Sequence, residues 1–123
     1  MSFDVFVSDD GTYIVGKAHA PLTRDLAQQM AKEYAKLIAS TGIRLVLNDV
    51  RGAKNSMGIL NEYEFAYRDV ASLGIPRNIR SAIVSDAGDS SHNFQETVAR
   101  NSGYSVKVFH SMEQAVEWLL AGP

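Results

Sequence analysis

The chain has 123 residues, 46% of them apolar and 21% charged, with no cysteine. One domain of that length buries roughly two thirds of the surface its unfolded chain exposes, so a core forms without disulfides, and a disordered or membrane-spanning class does not fit. Twelve basic against fourteen acidic side chains, scattered rather than clustered, exclude the concentrated positive face from which nucleic-acid binders draw affinity.

The first residues, MSFDVFVSDDG, carry an early acid and no basic segment followed by a long apolar run. No apolar stretch approaches the ~20 residues of a spanning helix, so a cytoplasmic location without membrane insertion is expected. Phe3, Val5 and Val7 alternate with Asp4, Phe6 and Ser8, and a second run covers Thr12 to Ala18. The pair Asp10-Gly11 between them predicts a hairpin closed by a tight two-residue turn, in which both residues take positive φ.

Leu26, Met30, Tyr34, Leu37 and Ile38 follow at the spacing of one helix face, with Thr23 as the cap and Gly42 as the stop. Residues 43–50, IRLVLNDV, have the composition of a strand buried on both faces. After the loop RGAKNSMG, Asn61 and Glu64 pair as a capping box and Leu60 and Phe65 as a hydrophobic staple. A second helix is therefore predicted to start at Asn61 and to stop at Gly74-Ile75-Pro76.

Residues 79–85 (IRSAIVS) read as the next strand, and DAGDSSHN leads into a helix carrying Phe94 and Val98 and ending at Gly103. Residues 104–109 (YSVKVF) read as the last strand. Ser111 and Gln114 open a closing helix with Ala115, Val116, Trp118 and Leu119 on its core side. The order ββαβαβαβα predicts a single α/β domain over 1–123, with a mostly parallel sheet of about five strands. If every crossover steps the same way, the helices lie mainly on one face, and the other face or an edge needs cover. A homodimer is the expected answer, since two-fold association is the commonest way to bury such a surface.

The segments LVLNDVRG, NEYEFAY, FQETVARNSGYSVKVF and SMEQAVEWLL, taken with this element order, resemble the STAS-like (SpoIIAA-like, anti-anti-sigma-factor-like) superfamily. The likeness is greatest to bacterial STAS/SEC14-type domains of unassigned role, and it implies a β-α superhelix together with a regulatory, protein-interaction role. In the anti-sigma-factor antagonists of that superfamily, a serine in an Asp-Ser-Ser-Gly-like turn before the second helix is phosphorylated. Here the matching stretch is Asn55-Ser56-Met57-Gly58. Met57 stands at the phosphate-accepting position and Asn55 at the acid, so Ser56 is not expected to be a dedicated switch. Helices with which SEC14 domains build a lipid cage have no counterpart in the sequence.

Ligands of open α/β sheets sit beyond the carboxyl ends of the strands, which selects residues 49–58, 85–92 and 110–111. Asp49, Arg51, Asn55, Ser56, Asp86 and His110 are the candidate binding residues there, for a small anionic or polar ligand. Against that stands the plainer reading, in which Asp49 caps loop amides and Arg51 pairs with a nearby acid. Asp86, Asp89 and His92 match no metal-ligand signature and read first as a turn and cap. His19 and His110 have no nucleophile beside them in sequence, and no phosphate-cradling glycine pattern occurs. Tyr63 and Tyr67 read as helix-face packing, and Glu62 and Glu64 as solvated charge. No catalytic set, cofactor motif or metal site emerges. The expected function is a non-enzymatic interaction module, with a small-ligand-binding domain as the alternative and a small enzyme third.

Overall fold

The computed structural model describes residues 2–121. Its five strands lie in one sheet in chain order: β1 (Phe3–Val7), β2 (Ile14–Ala18), β3 (Leu45–Asp49), β4 (Arg80–Val84) and β5 (Ser105–Phe109). β1 pairs antiparallel with β2, and the remaining neighbours pair in parallel. The helical elements are α1 (Arg24–Thr41), α2 (Gly58–Glu64), a π-helical turn (Phe65–Asp69), α3 (Val70–Ser72), α4 (Asn93–Asn101) and α5 (Met112–Leu120). This is the expected α/β order, with the second helix interrupted.

The hairpin forms, but its connection is longer than the tight turn expected. Val7 pairs with Ile14, leaving residues 8–13 as the link. Asp10 explains the difference: its Oδ1 accepts from Thr12 N (3.1 Å), Thr12 Oγ1 (2.7 Å) and Ser8 Oγ (2.8 Å). With that side chain closing the loop, one left-handed residue suffices, and Gly11 supplies it at φ 75°.

α1 forms as its pattern dictates. Thr23 accepts from Leu26 N, Gly42 ends the helix at φ 76°, and Leu26, Met30, Tyr34 and Ile38 are buried. β3 is covered on both sides, as its composition predicted. Val46 joins the core beneath α1, while Leu47 joins a separate cluster beneath α5, as adjacent strand residues must.

Those two clusters define the architecture. The front cluster lies between the sheet and α1, the 58–72 helical run and α4, and the back cluster centres on Ala115 and Leu119 of α5 with Ala82 and Val84 of β4. The expectation of one uncovered face is thus corrected in part. α5 folds over the opposite side and packs on β3 to β5. What remains open at the back lies over β1 and β2, where Phe6 is 48% exposed.

The second helix begins at Gly58, three residues before the predicted start. Leu60 is 74% exposed and forms no staple, and Asn61 donates its amide to Met57 O at 3.0 Å instead of capping an N-terminus. A π-helical turn holds an extra residue, so Phe65 and Val70, five apart, both reach the front cluster. The same turn directs Asp69 to α1, where Arg24 donates from Nε (2.9 Å) and Nη2 (3.1 Å) and Gln28 from Nε2 (2.9 Å).

Candidate functional site

At the carboxyl ends of the strands the candidate residues mostly satisfy one another. Asp49, buried, accepts from Arg51 through Nε (2.9 Å), Nη2 (2.8 Å) and backbone N (3.2 Å). Burial pushes the Asp49 carboxyl up, but the Arg51 guanidinium and amide outweigh it and hold the group below the ordinary carboxylate range. Asp86 accepts from Gly52 N at 2.7 Å, which pins a loop whose glycine sits at φ 79°. Asn55 N donates to Ser91 Oγ (2.9 Å), and Ser56 N donates to Leu22 O (2.8 Å) while its side chain stays exposed.

His110 is exposed, with Nδ1 3.2 Å from Ser85 Oγ, but Ser85 is fully buried and out of reach of a substrate. His19 pairs with exposed Asp4 on the hairpin, far in sequence from any other candidate. His92 is fully buried, its Nε2 2.8 Å from Ala53 O and 3.6 Å from Asp89 Oδ2. Asp89 in turn accepts from Ser91 N at 2.9 Å. Among the described residues no group of three or more acids and histidines is placed to hold a metal. A shallow depression here is lined by Gly52, Lys54, Asp86 and Ser90 among others. It takes in none of Asp49, Arg51 or His110.

An enclosed space lies instead inside the front layer. It is a cavity of about 120 Å³ between the sheet and α1, the 58–72 run and α4. Its wall is largely aliphatic, with Met30, Val46, Ala66, Ile75 and Ile83 among the residues that shape it. Into this wall the strands insert polar groups. Val46, Asn48 and Val50 share the front face by strand alternation, and Asn48 takes its place between two buried valines. Asn48 Oδ1 accepts from Tyr34 Oη at 2.6 Å, and Asn48 Nδ2 donates to Ser81 Oγ at 2.7 Å. Burial pushes the Tyr34 hydroxyl well up, which keeps it a neutral donor.

Gly16 makes that arrangement fit. A Cβ there would stand 1.7 Å from Tyr34 Oη, so no other residue leaves room for the hydroxyl against β2.

Glu62 is the one acid in the wall, only 3% exposed. It accepts from Asn55 Nδ2, and Asn55 Oδ1 accepts in turn from Met57 N at 3.0 Å, so the loop entering α2 holds the carboxyl in place. Burial pushes this carboxyl above its ordinary range, against the pull of Asn55 and of His92 nearby. The reading of Glu62 as solvated charge is corrected: with the helix starting at Gly58, Glu62 shares the inner face with Ala66, while Glu64 points out to Arg68. Tyr63 and Tyr67 are corrected the opposite way. They are 43% and 49% exposed and stack on each other outside, with Phe94 edge-on to Tyr63.

Of the six residues chosen from the sequence, Asn55 alone reaches the cavity, through Glu62. Tyr34, Asn48, Glu62 and Gln95 were missed as site residues. A polar residue at an inward position of a buried strand was the available sign for Asn48, and the i, i+4 relation to Ala66 for Glu62.

No protein-family model matches the chain, and no curated protein matches it. A solved structure does. It is that of an uncharacterized protein of the DUF3478 family with a SpoIIAA-like fold from Shewanella loihica PV-4, similar over 95% of this chain and 91% of that one, with a TM-score of 0.60 and 22% identity. At that identity the likeness speaks to architecture. No helix among the described residues is long and apolar enough to cross a membrane. The five-stranded, mostly parallel sheet with its surrounding helices is the SpoIIAA-like fold, as the resemblance of the sequence to the STAS-like superfamily implied.

Proposed function

We propose that this chain is a non-enzymatic small-ligand-binding module, with the front-layer cavity as its site. One observation carries the reading: an apolar cavity of about 120 Å³ in which a carboxyl, Glu62, is buried without a cationic partner among the described residues. Burying such a group costs free energy, so it persists where something compensates it. A dry apolar cavity of about 150 Å³ takes up benzene, so this one suits a molecule of about that size. The reading moves the small-ligand alternative from the strand ends to the interior. An enzyme is disfavoured because the nearest serine–histidine pair, Ser85 and His110, has its hydroxyl sealed from solvent.

The test is a melting screen of small apolar and amphiphilic compounds, followed by NMR of the Met30 methyl group, which lines the cavity. Saturable shifts of that methyl support the reading; a methyl indifferent to every compound that raises the melting temperature would send the site elsewhere. A second reading, the interaction module, is favoured by the exposed Ile59, Leu60, Tyr63, Tyr67 and Phe94 on α2, the π turn and α4. Homodimer formation belongs to it, and a monomeric mass by light scattering at all concentrations would remove that part.

A further inference from the structure

We propose that the cavity selects a short apolar molecule carrying a primary ammonium head, which is held by the Glu62 carboxylate and Gln95 Oε1. The proposal rests on the small-ligand reading and names the ligand's class. It follows from which hydrogen-bonding groups of the wall are already engaged. Tyr34 donates to Asn48, Asn48 to Ser81 Oγ and to Ala82 O (3.3 Å), Ser102 to Ala99 O (2.7 Å) and Tyr104 to Ile75 O (3.0 Å). These donors have partners within the wall and are not available to a guest.

Two acceptors in the same wall remain. Gln95 Oε1 is buried and has no partner among the described residues, and Glu62 receives only the Asn55 amide among them. No lysine, arginine or histidine lines the cavity. A carboxylate or phosphate head would therefore meet a carboxyl with no cation to offset it. An ammonium has three donors and no acceptor, the complement of the Glu62 carboxylate and Gln95 Oε1.

The ion pair also removes the cost of burying Glu62 ionised. Burial favours its neutral form in the free protein, and an ammonium beside it restores the carboxylate through a charge-assisted hydrogen bond. His92 and, beyond it, Asp89 are the other titratable groups near Glu62. His92 Nε2 is turned to Ala53 O, while its Nδ1 is buried without a partner among the described residues and makes no hydrogen bond to the carboxyl. The apolar body then lies against Met30, Val46 and Ile83.

The experiment compares three probes of one length, n-butylammonium, n-butanol and n-butyrate. Each is titrated at about pH 8, where an alkylamine stays protonated, with the Met30 methyl as reporter. Butylammonium is expected to bind about tenfold tighter than butanol, and butyrate more weakly than either. Glu62→Gln, which keeps the acceptor for Asn55, is expected to abolish the amine's advantage and leave butanol within about twofold. Asp49→Asn, at a residue that does not line the cavity and lies on the opposite face of β3 from Asn48, is expected to leave all three unchanged. Butyrate binding as tightly as butylammonium, or an amine advantage that survives Glu62→Gln, overturns the ammonium proposal and leaves the small-ligand reading intact. If none of the three moves the Met30 methyl up to its solubility limit, the small-ligand reading falls and the proposal with it.

Discussion

The strand-end loops and the front-layer cavity both gather polar residues around the sheet, and they do opposite things with them. At the strand ends Asp49, Asp86 and Asn55 direct their side chains at nearby backbone amides or at Arg51, so the loop is held by its own residues. In the cavity Tyr34, Asn48 and Ser81 form a closed chain of bonds while Glu62 and Gln95 are left with unused capacity. A polar cluster that satisfies itself is scaffold. One that is enclosed and incompletely satisfied is where a ligand gains most, because each new bond replaces none with water.

The largest expected effect is on the wall that shapes the cavity. Gly16→Val places a branched side chain where the Tyr34 hydroxyl lies, and it is expected to cost about 3 kcal/mol or more in denaturant unfolding. Adding Tyr34→Phe should recover part of that loss by removing the clashing oxygen. A Gly16→Val protein of unchanged stability would mean that Tyr34 is not held against β2.

Next comes a contrast between the two faces of the sheet. Ala115, fully buried where α5 packs on the sheet, has little room for growth, so Ala115→Leu is expected to lose about 2 to 3 kcal/mol. Ala66→Leu directs the same added volume into the cavity and is expected to stay within about 1 kcal/mol of the parent while blocking small-molecule binding. Equal losses in calorimetry would show that the front layer is as full as the back.

Asp49→Asn leaves Arg51 without its carboxylate and is expected to cost about 1 to 2 kcal/mol, with ligand binding untouched. The pH dependence has a definite sign. The Asp49 carboxyl is held below its unfolded value, so its stabilisation is present above that value and is lost as pH falls through the folded one. Urea midpoints of parent and variant should therefore converge in acid.

Glu62 behaves in reverse. Its folded value is raised, so its contribution is complete below the unfolded value and is lost as pH rises through the folded one. Glu62→Gln is accordingly expected to stabilise the free protein by about 1 kcal/mol near neutrality, and the gain should vanish in acid. A variant less stable than the parent at neutral pH would contradict the cost of burying Glu62 without a cationic partner among the described residues.

The smallest effect is expected at Ser56. The helix starts two residues later, nearer than Asn61 implied, but Ser56 N is already bonded to Leu22 O and the side chain is exposed. Ser56→Asp should change stability by less than about 0.5 kcal/mol. Intact-mass analysis of protein from its native host, showing a substantial phosphorylated fraction at Ser56, would contradict the reading of this serine as no dedicated switch.

The sequence by itself determined the element order, the span of α1 with its caps, the double burial of β3, and the Ser111 cap of α5. Each depends on neighbours within a few residues: a 3.6-residue stripe, a two-residue alternation, or a hydroxyl three positions from an amide. It also offered, as the alternative to a binding role, structural pairing for Asp49 and Arg51, which sit two positions apart and bond to each other. Only the tertiary structure decided the rest. The start of α2 moved because Asn55, held by Ser91 from another loop, caps Met57 and releases Asn61 from that task. α5 lies at the back because Ala115 and Leu119 find Leu47, Ala82 and Val84 there, residues distant in sequence. The cavity exists because α1, the π turn and α4 meet over β3 and β4 without filling the space between them. That mismatch of side-chain volumes, brought together from residues 22 to 106, leaves no trace in local spacing.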